Sequence, residues 1–120
     1  MAITKNDLSP AGAGFGVNAS SADASGCEEL KAAPGAGKSI YLTQIEVTCV
    51  AAITVTIGEG ENAGAVTTIL FGPFNFAATS GSPVNLSFRD KGIKLTANTS
   101  LTVDASGAGA VQVFAEGYVQ

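Results

Sequence analysis

Along this chain the apolar side chains recur at every second residue, and no segment holds them at helical spacing. In residues 38–50, Tyr41, Thr43, Ile45, Val47 and Cys49 alternate with Leu42, Gln44, Glu46 and Thr48, which predicts a strand. Ile53-Thr54-Val55-Thr56-Ile57 alternates more cleanly, with aliphatic side chains on one face and threonine on the other. Residues 58–64, rich in glycine and acid, are predicted as a loop. Residues 66–71 read as a third strand, broken by Gly72-Pro73, and Phe74-Asn75-Phe76 is expected to resume on a neighbouring sheet. Further strands are expected over 84–88, 93–95, 101–105 and 110–119, with a charged turn at Arg89-Asp90-Lys91-Gly92.

That makes about eight short strands, separated by turn residues at roughly the 8–12-residue spacing of all-β sandwiches. The expected fold is all-β, an eight-stranded jelly-roll-like β-sandwich whose sheets are packed on one face and solvated on the other. Residues 9–26 differ: 13 of these 18 are Gly, Ala or Ser, with no period. So little apolar area does not offset the entropy of ordering, so this stretch is expected to be an extended arm, mobile when free. Leu8, Phe15 and Val17 interrupt it, and a mere spacer needs none of them. They are candidate docking contacts to another protein surface, with packing of Phe15 on its own domain as the alternative. The chain thus divides into an arm, 1–27, and a sandwich domain, 28–120.

Composition changes the picture of the core. Of 120 residues, 20 are alanine, so many apolar positions are small and the core is thin. Such a domain is expected to hide further surface against copies of itself or a partner. Ile45, Val47, Ile53, Val55, Phe71, Phe74, Val113 and Tyr118 are the candidate core and oligomer contacts. Histidine is absent, which removes the commonest acid–base residue near neutral pH and the commonest metal ligand, and leaves any serine or cysteine nucleophile without its usual base. Two cysteines, Cys27 and Cys49, make neither a disulfide framework nor a zinc site, and are expected to pack as small hydrophobes. The net charge of −4, with six cationic residues, argues against nucleic-acid binding. No basic amphipathic stretch and no apolar run of roughly 18–20 residues points to a membrane. Residues 1–7 lack the apolar run of a secretory signal, so folding in the cytosol is expected.

Ala32-Ala33-Pro34-Gly35-Ala36-Gly37-Lys38-Ser39 resembles a relaxed phosphate-binding loop, but alanine stands where the first glycine belongs and a strand pattern follows where a helix should open. A turn leading into a strand, with Lys38 exposed, is the expected structure. Nothing in the spacing forces Glu59, Glu61, Asp104 and Glu116 to converge for glycosidase chemistry, and Glu59, Glu61 and Asn62 lack the ordered ligand series of a calcium loop. The sequence therefore predicts no catalytic residues, no metal and no cofactor.

The segment 32–40, an alanine-rich turn followed by Gly-Lys and a β-branched strand, resembles small β-sandwich virion proteins of tailed bacteriophages. The similarity continues through Ala51-Ala52-Ile53-Thr54-Val55-Thr56-Ile57-Gly58, Leu70-Phe71-Gly72-Pro73, residues 95–103 and Val113-Phe114-Ala115-Glu116-Gly117-Tyr118-Val119, and so covers about residues 28–120. The resemblance implies a structural role, usually as a homotrimer: capsid decoration or cement on the major capsid protein, or part of a tail or head fibre. It implies a virion surface location after synthesis in the host cytoplasm, and it carries no catalytic residues over. An arm over residues 1–27 would fit a segment laid across capsid subunits. A carbohydrate-recognising jelly roll is the alternative of another class, with Tyr41, Phe74 and Tyr118 as stacking candidates.

Overall fold

The computed structural model describes residues 3–8, 14–21, 26–62, 64–77 and 83–120, apart from the side chains of Asp7, Leu8, Ser21 and Asn62. Among the described residues there are ten strands and no helix: β1 (Thr4–Leu8), β2 (Gly14–Ser21), β3 (Gly26–Lys31), β4 (Ile40–Cys49), β5 (Thr54–Asn62), β6 (Ala65–Asn75), β7 (Val84–Ser87), β8 (Ile93–Lys94), β9 (Leu101–Ala105) and β10 (Val111–Val119). They form two antiparallel sheets. One has six strands in the order β1-β2-β10-β4-β7, with β8 also on β4; the other has four, β3-β9-β5-β6. The protein is an all-β sandwich.

The core follows from side-chain alternation. Val111, Val113 and Ala115 of β10 in one sheet and Leu101, Val103 and Ala105 of β9 in the other are all buried. Leu42, Ile45 and Val47 of β4, with Val55 and Ile57 of β5, fill the middle and are wholly inaccessible to solvent. The small residues among these let the sheets close over a thin interior.

The arm is corrected by this structure. β2 lies between β1 and β10, in register from Tyr118↔Gly14 to Val111↔Ser21. Phe15, Val17 and Ala19 alternate into the core, and the ammonium of Lys31 lies 5.4 Å from the centre of the Phe15 ring. Phe15 and Val17 are therefore core residues of this chain and not free to dock elsewhere. Backbone hydrogen bonds to β1 and β10, and the burial of Phe15, Val17 and Ala19 in the core, supply the ordering energy that the segment's composition lacks. The side chain of Leu8 and residues 9–13 and 22–25 lie outside the described residues.

Two further expectations change. Residues 58–62 continue β5 and pair with β6 as far as Asn62↔Ala65, with β9 on the other side up to Glu59, and these ladders hold a stretch that the glycines do not favour by themselves. β6 runs through Gly72-Pro73 and stays in the same sheet, pairing Phe74 with Val55. Proline is tolerated there because β6 is an edge strand and the missing N–H leaves no ladder partner unmet. Cys27 on β3 and Cys49 on β4 sit in different sheets and are both free thiols.

Candidate functional site: a polar cleft at a bulge in β4

Along β4 the buried positions are Ile40 and Leu42, then Ile45, Val47 and Cys49. The phase slips by one residue between Leu42 and Ile45. In the pairing with β10, Glu116 faces Gln44 while Gly117 faces Leu42, so Thr43 is the extra residue of a β-bulge. Tyr41 and Thr43 consequently lie on the outer face and not, as the unbroken alternation predicts, on the face of Ile45 and Val47. Thr43 and Gln44 both project outward, and the Thr43 hydroxyl donates to the carbonyl of Glu116 at 3.0 Å. The bulge presses β4 so close to β10 that a Cβ on Gly117 would run into the carbonyl oxygen of Tyr41.

The turn after β7 packs onto this bulge. Phe88 N–H donates to the Thr43 carbonyl at 2.7 Å. Gly92, at φ 72°, approaches Leu42 so closely that a Cβ would stand 2.7 Å from its carbonyl oxygen. The Tyr118 hydroxyl donates to the carbonyl of Lys91 at 2.8 Å. The Tyr118 ring lies parallel to that of Tyr41, 4.8 Å between centres and 2° between planes. Held at three points, the turn keeps Arg89 at φ 61°, a left-handed backbone that non-glycine residues seldom adopt.

Between bulge and turn lies an open cleft of about 340 Å³, lined by Thr43, Gln44, Ser87, Arg89, Asp90 and Glu116. Every lining side chain is polar. The polar set extends along the outer face: the Gln44 amide donates to Asn85 Oδ1 and the Asn85 amide donates to Glu46, each at 3.4 Å. At the other side of the same sheet, Thr4, Lys5, Asn6, Asn18, Ser20 and Gln112 border a second shallow cleft of about 200 Å³. What this arrangement can do is form hydrogen bonds with a polar ligand. Ser87 has no histidine to activate it, since the chain contains none. Among the described residues no group of three or more Cys, Asp or Glu side chains is placed to hold a metal.

The four acids weighed from the sequence are dispersed. Glu116 borders the cleft. Glu59 faces inward opposite Leu101 and is buried; its carboxylate accepts from the Thr96 N–H at 2.8 Å and from the Thr96 hydroxyl at 2.5 Å. It ties the connection between β8 and β9 to the end of the sandwich, a fastening role that the loop reading misses. Glu61 lies near the end of β5, and Asp104 faces Cys27 across β9 and β3. Burial pushes the Asp104 carboxyl above its usual range, against a bond from the Gly26 backbone that favours the charged form. Burial also raises the Cys27 thiol, reinforced by Asp104, Glu61 and Glu28 and opposed by a hydrogen bond with Thr102, so it stays protonated and unreactive at neutral pH.

Of the candidate contact residues, Ile45, Val47, Val55 and Val113 are in the core, and Ile53, Phe71 and Phe74 pack partly buried against it. Tyr118 stands outside, on the cleft's side. The phosphate-loop lookalike is a turn closed by Lys38 N–H to Gly35 O at 3.2 Å, with an exposed Lys38 and a strand after it. Sequence reasoning missed the cleft because its residues come from β4, β7, β10 and a turn; the slipped phase in β4 is the signal that pointed to it. No family model, no curated protein and no solved structure matches the chain.

Proposed function

We propose that this chain is a non-enzymatic structural protein of a tailed-phage virion, a homo-oligomer, most simply a trimer, that decorates and cements the capsid by contact with the major capsid protein. The fold within this reading is a jelly roll. With β2 as first strand, and β1 and β8 as additions, the eight principal strands run first-eighth-third-sixth in one sheet and second-seventh-fourth-fifth in the other. That order supports two interleaved Greek keys. The strand expected to be a docking arm thus becomes the first strand of the roll, and docking falls to the body.

The observation that carries the reading is β6. At 11 residues it is the longest strand, it lies at a sheet edge, and among the described residues no strand pairs with its outer side. Ile69 is 56% exposed on it. Register breaks and Pro73 blunt the second half of this edge, but residues 65–69 keep a regular ladder that carries an exposed aliphatic residue, a template for pairing with another chain. Neighbouring copies or capsid subunits complete this edge.

The test is the mass of the protein in solution together with electron microscopy of undecorated capsids incubated with it. A stable oligomer that Ile69→Lys converts to folded monomers, and density at regular capsid sites, are expected. A monomer that leaves capsids bare would overturn the reading.

A further inference from the structure

We propose that the cleft at the β4 bulge binds a neutral saccharide. Its volume of about 340 Å³ falls in the ~300–1,000 Å³ span of small-ligand sites. Most such sites are lined by hydrocarbon; this one presents hydroxyls from Thr43 and Ser87, an amide from Gln44, a guanidinium from Arg89 and carboxylates from Asp90 and Glu116. Carboxylates only accept hydrogen bonds and guanidinium only donates them, so the matching ligand must do both at closely spaced points. A sugar hydroxyl does both. A phosphate would meet two carboxylates, and a free cation would meet the guanidinium, so the mixed charge disfavours either ion.

Two further features suit a sugar. The walls are fixed in advance: the bulge sets Thr43 and Gln44 side by side, and the bonds from Phe88 N–H and the Tyr118 hydroxyl anchor the turn that carries Arg89 and Asp90. Fixed walls lower the ordering cost of binding a flexible polyol. Tyr41 and Tyr118 stand two residues along their strands from Thr43 and Glu116, partly exposed on the same face. On the far side of Tyr118 its partner on β2 is Gly14, which has no side chain to cover the ring. The apolar C–H face of a second sugar unit can pack there while the first sits in the cleft. The site therefore takes a glycan of two or more neutral units. It does not depend on the capsid reading, because the edge of β6 is in the other sheet.

The test is amide NMR of the full, isotope-labelled chain titrated with neutral trisaccharides of glucose, galactose, mannose and N-acetylglucosamine, and separately with inorganic phosphate. At least one trisaccharide is expected to move the amides of Thr43, Gln44, Ser87, Arg89 and Asp90 with millimolar or tighter affinity, and phosphate to move none. Arg89→Gly removes the guanidinium at a backbone angle that glycine adopts freely, so it is expected to keep its melting temperature while binding falls about tenfold. Gln44→Ala is expected to weaken binding in the same sense. Silence across all four trisaccharides, a response to phosphate alone, or unchanged affinity in both variants would overturn the proposal. Capsid decoration by Arg89→Gly is expected to be intact, so the two functional readings fail separately.

Discussion

β2 and β6 reverse the order of burial that their sequences suggest. β2 reads Gly-Phe-Gly-Val-Asn-Ala-Ser-Ser and has little to hold it, yet Phe15, Val17 and Ala19 are 6%, 1% and 2% exposed. β6 begins Ala-Val-Thr-Thr-Ile-Leu-Phe, a strong strand pattern, yet Ile69 is 56% exposed. The difference lies in facing and in neighbours. β2 has a strand on each side and turns Phe15, Val17 and Ala19 inward; β6 has one partner among the described residues, β5, and Ile69 pairs with Gly58, between the inward Ile57 and Glu59, so it lies on the outer face. Alternation sets which side chains turn inward, even where this leaves an aliphatic residue outside, and position in the sheet sets whether a neighbouring strand covers what remains.

Removing residues 2–21 breaks the comparison most severely. It deletes β1 and β2, turns β10 into an edge and uncovers the core beneath Phe15 and Val17. The truncated protein is expected to lose its cooperative thermal transition, followed by circular dichroism, and to expose apolar surface that aggregates. A truncated chain that melts as sharply as the full one would make β2 an appendage after all.

Single substitutions measure the same contrast more finely. Phe15→Ala is expected to lower stability in urea denaturation by about 3–5 kcal/mol, the usual cost of emptying a buried aromatic site. Ile69→Ala, on the edge, is expected to stay within about 0.5 kcal/mol when measured on dissociated protein, as surface changes generally do. Equal losses at both positions would mean that coverage in the fold does not set their energetics.

The strands from β7 to β10 were legible because each keeps one alternating run between two turn signals. Val84–Ser87 and Leu101–Ala105 fall inside the stretches the pattern predicts. β2 was not legible, since three inward residues spaced by glycine and asparagine carry too little area to be recognised without their neighbours. The extension of β5 through Gly58-Glu59-Gly60-Glu61 was hidden for the same reason: its ladder comes from β6 and β9. In β4 the strand was clear but its faces were not. An alternation test averages over a bulge, and only the slip from Leu42 to Ile45 reveals that Tyr41 and Thr43 point outward. The slip is the cleft's one trace in the sequence; the rest of it was hidden, since a site assembled from a bulge, a turn and a neighbouring strand has no spacing there.

The smallest expected effect concerns the centre and edge of the four-stranded sheet. Asp104 lies on β9, between Cys27 of β3 and Thr56 of β5, and burial raises its carboxyl. A carboxyl raised in the folded state holds its proton better there than in the unfolded chain. Its contribution to stability is therefore fully present below the ordinary carboxylate range and is lost as pH rises through the raised value. Asp104→Asn removes that loss. The variant is expected to melt slightly above the original protein at neutral pH, with the gap closing as the pH falls into the carboxylate range. Asn75→Asp, which places a carboxylate on the exposed end of β6, is the edge counterpart and is expected to add no comparable gap. Melting curves that run parallel for the original protein and Asp104→Asn from acid to neutral pH would put Asp104 in water, and the middle of this sheet would then be no drier than its edge.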